Sequence, residues 1–180
     1  STDDRVLELL AAWRRQAPAS WRFEANRETL GFVAPANRGM RATSGDVVLL
    51  NSDTETTPGW LQGLARCLAS DPAIATATPW TNNGEIASIP GFCQVNPVPD
   101  DPAAVAEVIR QAGAPLYPDL PTAVGFCMAI AREAIEQVGV FEEAVVGRGY
   151  GEENDFSMRA QQAGLRNVLC DDSYVGHLGG

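Results

Sequence analysis

Side chains that could bind a metal ion are densest directly after one short apolar run, Val47–Leu50. The five residues that follow this run are all polar: Asn51, Ser52, Asp53, Thr54 and Glu55. Four apolar residues without alternation predict a strand buried on both faces, as in a parallel sheet covered by helices. Ligands of open α/β sheets bind just beyond the carboxyl ends of the strands, and a carboxylate there suits a hard cation that carries a phosphorylated substrate. The alternative is a polar turn that caps the next helix, with Thr57 as the N-cap and Pro58 in the first helical position.

A second group of candidate residues consists of three carboxylates at the start of a predicted helix: Glu152, Glu153 and Asp155. Acids stabilise a helix N-terminus by about 0.3–1 kcal/mol each, and Asp155 can pair with Arg159 one turn later, so a purely structural role is one interpretation. Three acids exceed what capping needs, however, and the preceding glycine-rich segment 147–151 is typical of a mobile active-site loop. A carboxylate crowded by like charges has a raised pKa, which suits a general base near neutral pH.

His177 is the single histidine of the chain. A lone histidine is often structural, but together with Asp53 and a diphosphate this imidazole would complete a site for a hard cation. Asn37 and Gly39 are poor helix formers inside a predicted helix, which indicates either close approach of a ligand or another backbone, or a frayed helix start. The sequence contains no Ser-His-Asp arrangement, P-loop or G-x-G-x-x-G, so hydrolase, P-loop and dinucleotide-binding functions lose support.

The elements that must position these residues alternate between strands and helices. Apolar runs and helical periodicity predict helices at 1–16, 30–39, 58–69, 102–109, 132–138 and 152–163, and strands at 21–24, 47–50, 74–78, 124–131, 168–170 and 174–177. This alternation predicts a mainly parallel α/β sheet. The irregular stretch 79–101 is long for a compact domain, which is typical of a loop that covers or shapes a site, or else of a disordered segment. A second irregular stretch is 113–121.

Composition limits the classes of partner. At 180 residues and 45% hydrophobic, the chain can bury a core and is expected to be one domain. Thirteen basic against 23 acidic residues, a net charge of −10, weigh against nucleic acid or an anionic membrane as the main partner. The sequence shows neither a signal peptide nor an apolar stretch long enough for a transmembrane segment. Four widely spaced cysteines without a C-x-x-C pair indicate buried reduced thiols and a reducing compartment.

Five segments of the chain, taken in order, resemble the family 2 glycosyltransferases with the GT-A fold, in particular their rhamnosyltransferase-like branch. They are LGFVAPANRG, GDVVLLNSDTETTPGWL, PTAVGFCMAIAREAIEQVGVFEE, GYGEENDFSMRAQQAG and YVGHLGG. They are similar to the family's "N-x-G-F-x-x-x-x-N-x-G" helix, its D-x-D strand in an N-x-D form, its acceptor-side strand and helix, its "E-D-x-D" helix and its "V-x-H-x-G" end. They are spread from residue 30 to residue 180, and no segment with such a resemblance lies in the stretch of about 80–120.

The resemblance implies a role for each candidate residue. Asp53 would bind the Mg²⁺ or Mn²⁺ that bridges the donor's diphosphate, and His177 would contact the metal or the diphosphate. Glu153 occupies the place of the family's general base, although Asp155 or Glu152 could take that role, because glutamate is one methylene longer than the family's aspartate. The candidate substrate-binding residues are Asn37, Gly39, Asn51, Ser52, Gly125 and Trp80.

The implied activity is that of a metal-dependent inverting glycosyltransferase. Such an enzyme moves a sugar from a nucleotide-diphosphate sugar to a hydroxyl of a saccharide or glycoconjugate acceptor, here in cell-surface polysaccharide synthesis, and we expect it in the cytoplasm, free or peripheral at the inner face of the membrane. The alternatives are a non-catalytic GT-A-like scaffold or interaction domain, and a nucleotidyltransferase that forms a nucleotide-sugar from an NTP and a sugar phosphate.

One departure from the family concerns the start of the chain. The family begins with a strand, a helix and a second strand that ends in "D-D/N-G-S", whereas Ser1-Thr2-Asp3-Asp4 looks like the tail of that motif. We therefore expect residues 1–180 to be a single, partial GT-A domain without the first β-α-β unit of the nucleotide-binding half. Missing interior strands would expose apolar surface, which favours self-association into a homo-oligomer.

Overall fold

The computed structural model describes residues 4–24, 26, 30–143 and 151–179, which fall into two compact units, Ser1–Leu30 and Gly31–Gly180. In the first unit, helix α1 spans Asp4–Gln16, and the predicted helix start at 1–3 lies outside the described residues. The strand predicted at 21–24 is wrong, because these residues form none. Instead, the Arg14 guanidinium donates to the Phe23 carbonyl at 2.9 Å and lies over the Phe23 ring, so this segment contacts the helix of its own unit.

The second unit alternates between helices and strands, as the sequence predicts. Its elements are α2 (Val33–Arg41), β1 (Val47–Leu50), β2 (Thr54–Thr56), α3 (Trp60–Ser70), β3 (Ile74–Trp80), a 3₁₀ helix (Glu85–Ala87), α4 (Pro102–Gln111), β4 (Cys127–Ile130), α5 (Arg132–Val138), α6 (Glu152–Gln162) and β5 (Arg166–His177). The two strands predicted near the end of the chain are one continuous strand, β5. None of the described helices is both long and apolar enough to cross a bilayer.

The polar residues after β1 do not cap a helix at Thr57. Helix α3 begins at Trp60, after Gly59, which has a φ of +82°. The Thr57 hydroxyl instead donates to the carbonyl of Tyr174 at 2.6 Å, because β2 runs beside β5. The predicted N-cap at Thr57 is therefore wrong, and this polar stretch forms a turn followed by a short strand.

The five described strands form one sheet in the order β1-β4-β3-β5-β2. Strands β3 and β5 are parallel, and the other three pairings are antiparallel. Strands β1, β3 and β5 thus share one direction, while β4, which lies between β1 and β3, and β2 run in the opposite direction. The sheet is therefore mixed rather than mainly parallel, because among the described strands only the pairing of β3 with β5 is parallel. The expectation that β1 is buried on both faces is wrong, because among the described strands it pairs only with β4, and Leu50 is 41% exposed.

A buried polar network fixes helix α6, which carries the three carboxylates, to the sheet. The Thr76 hydroxyl donates to Asn167 Oδ1 at 2.9 Å, and Asn167 Nδ2 donates to the Ser157 carbonyl at 3.1 Å. The Ser157 hydroxyl in turn accepts from the Ala123 N–H at 3.0 Å. Because unpaired polar groups are costly in a core, these bonds specify how α6 lies against β3 and β5.

The cysteines are consistent with reduced thiols. Cys67, Cys127 and Cys170 are buried, Cys93 is exposed, and all four are free. Burial raises the pKa of the Cys127 thiol to about 12, so this side chain is a protonated, inert part of the core.

Candidate functional site

The pairing of β2 with β5 brings Asp53 next to His177. Thr54, the first residue of β2, pairs with His177, the last residue of β5, and the Leu178 N–H donates to the Asp53 carbonyl at 2.9 Å. As a result, Asp53 Oδ2 lies 3.3 Å from His177 Nε2. The two residues that the sequence assigns to a metal are therefore neighbours.

The His177 ring is held on its other side as well. Its Nδ1 lies 2.5 Å from the carbonyl oxygen of Asn83, and the ring stacks on Phe126 with centroids 5.3 Å apart. Because a carbonyl oxygen only accepts hydrogen bonds, Nδ1 carries the hydrogen in this contact. Nε2 is thereby left directed towards Asp53.

The Asp53–His177 pair fits a divalent cation. Two ligand atoms at right angles, each about 2.1 Å from an octahedral ion, lie about 3 Å apart, close to the observed 3.3 Å. A mixed carboxylate and imidazole set suits Mn²⁺ better than Mg²⁺, which prefers oxygen ligands only. In the part of the chain that the structure describes, no group of three or more His, Cys, Asp or Glu side chains could hold an ion. Oxygen atoms of a substrate or of water would therefore complete the coordination.

His177 also lines a cleft of about 520 Å³, within the range of about 300–1,000 Å³ that is usual for ligand pockets. The cleft combines aromatic, amide and carboxylate side chains with backbone: Phe32, Asn51, Asn83, Gly84, Glu85, Val124, Gly125, Phe126, Glu152, Glu153 and His177. The carboxylate group at the start of α6 and the imidazole at the end of β5 thus face one cavity.

Glu153 places a partly buried carboxyl group in the lining of the cleft. Burial raises the pKa of its carboxyl, and the negative charges of Glu152 and Glu85 raise it further. A Cβ atom placed on Gly125 would lie 3.9 Å from the Glu153 carboxyl carbon, so this carboxyl group and Gly125 face the same part of the cleft. A carboxylate with a raised pKa can accept a proton closer to neutral pH.

Glu152 has a carboxylate oxygen that accepts no hydrogen bond from any described residue. The residue is only 8% exposed, and its Oε2 has no hydrogen-bond partner among the described residues. Buried carboxylate oxygens are normally paired, so a hydroxyl or other donor group in the cleft would satisfy this oxygen. We expect Glu152 to bind substrate beside Glu153.

Asp155, by contrast, has a structural partner. Its Oδ2 accepts from Arg159 Nε at 2.9 Å, and the Arg159 guanidinium also donates to the carbonyls of Val138 and Val140. This arrangement anchors α6 to the end of α5, and Asp155 is absent from the cleft lining. The structure therefore favours the pairing role over that of a base. Of the glycine-rich segment 147–151, which was predicted to be a mobile loop, only Gly151 lies within the described residues. Gly151 precedes α6 and has a φ of +98°.

Two predicted substrate contacts, Asn37 and Gly39, do not reach the cleft. Asn37 is fully buried, and its Nδ2 donates to the Phe141 carbonyl and to Glu143 Oε1, both at 2.9 Å. Its Oδ1 accepts from the Phe141 N–H at 3.0 Å. Of the two alternatives, Asn37 thus contacts another backbone rather than a ligand. A Cβ on Gly39 would meet no described atom within 4 Å, so among the alternatives for Gly39 a close approach of another described backbone is excluded.

The other candidate substrate-binding residues divide into two groups. Asn51 and Gly125 line the cleft, and the Asn51 N–H donates to the carbonyl of Phe126 at 2.9 Å. Ser52 is exposed and Trp80 is paired with Tyr174 inside the sheet, and neither lines the cleft.

Sequence reasoning missed several residues of the site. Phe126, Phe32, Asn83 and Glu85 all line the cleft, and Glu85 adopts a φ of +48°, which is unusual for a residue with a side chain. The signal that could have found Asn83 and Glu85 is the polar run that directly follows β3. The rule that placed a site after β1, ligand binding beyond the carboxyl end of a strand, applies there equally.

The site of this α/β protein thus combines a carboxylate–imidazole pair with an adjacent cleft that contains carboxylates. The chain is similar to the crystal structure of GalNAc-T7 with UDP, GalNAc and Mn²⁺, with a TM-score of 0.72 and 15% sequence identity. The likeness covers 98% of this chain and 36% of that chain, so this chain spans about a third of the length of that relative. It confirms the predicted GT-A-like fold. No family model matches the sequence, and no curated protein does either.

Proposed function

We propose that this protein is a metal-dependent glycosyltransferase that moves a sugar from a nucleoside-diphosphate sugar to a hydroxyl of a saccharide or glycoconjugate. The observation that carries the proposal is the 3.3 Å approach of Asp53 Oδ2 to His177 Nε2 beside a cleft that contains Glu153. The GT-A-like fold supports it, and so does the presence of UDP, GalNAc and Mn²⁺ in the similar structure.

Asp53 and His177 would hold the divalent ion, Mn²⁺ in preference to Mg²⁺. The ion would neutralise the charge that develops on the departing nucleoside diphosphate. Asp53 contributes a negative charge and His177 a neutral nitrogen, so this pair leaves a divalent ion with a net positive charge that attracts the diphosphate. The aromatic ring of Phe126, stacked on His177, keeps the imidazole in place.

Glu153 is the proposed general base. The acceptor hydroxyl oxygen forms a bond to the anomeric carbon while Glu153 takes the hydroxyl proton, and the bond between that carbon and the diphosphate oxygen breaks with its electron pair on the leaving group. Attack opposite the leaving group inverts the anomeric centre. The raised pKa of Glu153 supports this role, and Glu152 Oε2, which has no hydrogen-bond partner among the described residues, would orient a sugar hydroxyl beside it.

The proposal is tested by incubating the protein with Mn²⁺, UDP- and dTDP-sugars and a set of saccharide acceptors. Released nucleoside diphosphate is measured, and NMR gives the anomeric configuration of the product. We expect the variant Glu153→Gln to lose about 10²–10⁴-fold in kcat, the usual contribution of a general base. Asp119→Ala is the matched control, because Asp119 is an exposed partner of Arg166, which keeps a second partner in Asp71.

Four results would contradict the proposal or part of it. Full activity in Glu153→Gln would exclude this residue as the base, and a product that retains the anomeric configuration would exclude direct inversion. Consumption of an NTP and a sugar phosphate would identify a nucleotidyltransferase. A folded protein without activity on any donor would favour the non-catalytic scaffold.

The proposal extends to the family and setting that the sequence motifs imply. We assign the protein to the rhamnosyltransferase-like branch of the family 2 glycosyltransferases, in cell-surface polysaccharide synthesis, in the cytoplasm, free or at the inner face of the membrane. Self-association into a homo-oligomer belongs to the same proposal. Light scattering of the purified chain tests it, and a monomer at all concentrations would contradict it.

A further inference from the structure

We propose that Asn82 and Asn83 are positioning residues that fix the ring of His177 in its Nδ1–H tautomer and direct Nε2 to the ion. This inference rests on the proposed function, because the orientation of the ring matters only if Nε2 binds a metal. It assigns a role to the loop after β3 that neither the sequence motifs nor the structural likeness assigns.

The backbone N–H and C=O groups of His177 do not bond to the neighbouring strand β2. Because the Leu178 N–H donates to the Asp53 carbonyl, the facing pair Thr54–His177 is of the non-hydrogen-bonded kind. In such a pair the N–H and C=O groups point away from the partner strand. The backbone groups of His177 are therefore directed away from β2, towards the loop that follows β3.

The side chain of Asn82 occupies the place of a neighbouring strand there. Its Oδ1 accepts from the His177 N–H at 2.8 Å, and its Nδ2 donates to the His177 carbonyl at 2.9 Å. Nδ2 also donates to the Asn96 carbonyl at 3.1 Å, so both N–H groups and the oxygen of this side-chain amide are hydrogen-bonded. Since Asn82 is only 2% exposed, these bonds exchange little with water and hold the end of β5 rigidly.

The loop that presents Asn82 is itself closed by a second asparagine. Asn96 Nδ2 donates to the carbonyls of Asn82 and Gly91, both at 3.0 Å, and the Asn96 N–H donates to the Asn82 carbonyl at 3.0 Å. This pairing of Asn82 with Asn96 fixes the backbone on which Asn83 follows. The Asn83 carbonyl is thereby held in a defined position against the His177 ring.

The Asn83 carbonyl determines which ring nitrogen of His177 carries the proton. A neutral imidazole has one N–H, and two acceptors compete for it: the Asn83 carbonyl, 2.5 Å from Nδ1, and Asp53 Oδ2, 3.3 Å from Nε2. Two acceptor atoms repel each other strongly at 2.5 Å and only weakly at 3.3 Å, so the proton belongs on Nδ1. Nε2 then presents its lone pair, the form that a metal ligand needs.

NMR tests this assignment directly. The chain contains a single histidine, so protein grown with ¹⁵N-labelled histidine gives one pair of ring nitrogen signals, whose shifts identify the tautomer. The measurement uses the full chain without metal or nucleotide, and the pH is raised until the two ring nitrogen signals no longer change. We expect the Nδ1–H tautomer in the wild type and a loss of this preference in Asn82→Ala.

The matched control is Asn167→Ala. Asn167 is also a buried asparagine with hydrogen bonds through both its side-chain oxygen and nitrogen, but these bonds go to Thr76 and Ser157 instead of to His177. This variant should lose comparable stability and keep the Nδ1–H tautomer. Circular dichroism at the temperature of the NMR measurement verifies that each variant is folded, and a lower temperature is used if one is not.

A second readout is the binding of Mn²⁺ with saturating UDP or dTDP, measured by calorimetry. We expect Asn82→Ala to weaken Mn²⁺ binding about 10- to 100-fold, the usual effect of a residue that orients a metal ligand, while Asn167→Ala binds like the wild type. An Nε2–H tautomer in the wild type, or unchanged tautomer and affinity in folded Asn82→Ala, would overturn the inference. Because the tautomer is read without metal or nucleotide, a failure of the proposed function would appear separately, as a wild type that has the Nδ1–H tautomer but binds no nucleotide with Mn²⁺.

Discussion

Asn37 and Gly39 lie in the same helix, α2, but replacement by alanine should have opposite effects on stability at the two positions. Replacing Asn37 with alanine leaves the buried N–H and C=O of Phe141 without the partners that Asn37 supplies. An unpaired buried polar group costs about 1–3 kcal/mol, so the two together predict a loss of about 2–6 kcal/mol. At about 2–4 °C per kcal/mol for a chain of this size, the melting temperature should fall by about 4–24 °C.

Gly39→Ala should have the opposite effect. Gly39 lies within α2, and the new Cβ would meet no atom within 4 Å. Alanine inside a helix is more favourable than glycine by about 0.5–1 kcal/mol, which predicts a melting temperature higher by about 1–4 °C. Both variants should bind nucleotide with Mn²⁺ like the wild type, because neither residue lines the cleft.

Thermal and urea unfolding followed by circular dichroism measure the stabilities, and calorimetry measures nucleotide binding. An Asn37→Ala variant with wild-type stability but nucleotide binding weakened tenfold or more would refute the reasoning and restore Asn37 as a substrate ligand. A Gly39→Ala variant less stable than the wild type would show that something does approach this glycine.

Three further predictions concern α6 and the packing of α3. Because burial raises the pKa of Glu153 in the folded state above its value in the unfolded chain, the wild type loses stability as the pH rises from the unfolded-state to the folded-state pKa. Glu153→Gln should therefore melt at a higher temperature than the wild type at pH 7 and lose this advantage below about pH 4. Equal melting curves of the variant and the wild type at both pH values would contradict the burial of this carboxylate. Asp155→Asn should cost about 1 kcal/mol by weakening its contact with Arg159 and reduce kcat less than tenfold, and a loss as large as that of Glu153→Gln would make Asp155 the base. Gly63→Ala should destabilise by about 1–3 kcal/mol, because the new Cβ would overlap Ser173 Oγ, and urea unfolding should show partial recovery when Ser173→Ala is added.

The order of elements and part of the site were predictable from the sequence because their signals are local. The apolar run of β1 and the helical period of α3 are read within one element, and the i, i+4 spacing of Asp155 and Arg159 correctly offered the pairing that the structure contains. Glu152 and Glu153 stand together at a helix start, so their common placement in the cleft follows from α6 alone.

The parts that the sequence did not predict depend on contacts between distant segments. Strand β2 has three residues without a periodic pattern, and it is a strand only because it lies beside β5. The antiparallel insertion of β4 is likewise a property of the whole sheet, and it makes β1 less buried than an interior parallel strand. The role of Asn37 was open for the same reason, since its partner Phe141 is far away in the sequence.

The loop after β3 shows a different limit of prediction from sequence. Its asparagines predicted an irregular stretch that shapes a site, but propensity alone says nothing about which backbone groups an asparagine will bind. The Asn82 side chain can bond to the backbone of His177 because β2 pairs with one edge of β5 and the loop lies at the other edge. That arrangement appears only once the sheet is assembled.

Calorimetric titration of the chain with UDP and with dTDP, with and without Mn²⁺, tests directly whether Asp53 and His177 form a metal site; Asp53→Ala and the control Asp119→Ala are titrated in parallel. We expect nucleotide binding that requires Mn²⁺, persists in Asp119→Ala and is lost in Asp53→Ala. Binding that is equally strong without Mn²⁺, or that survives in Asp53→Ala, would contradict the assignment of the Asp53–His177 pair as the metal site of a glycosyltransferase.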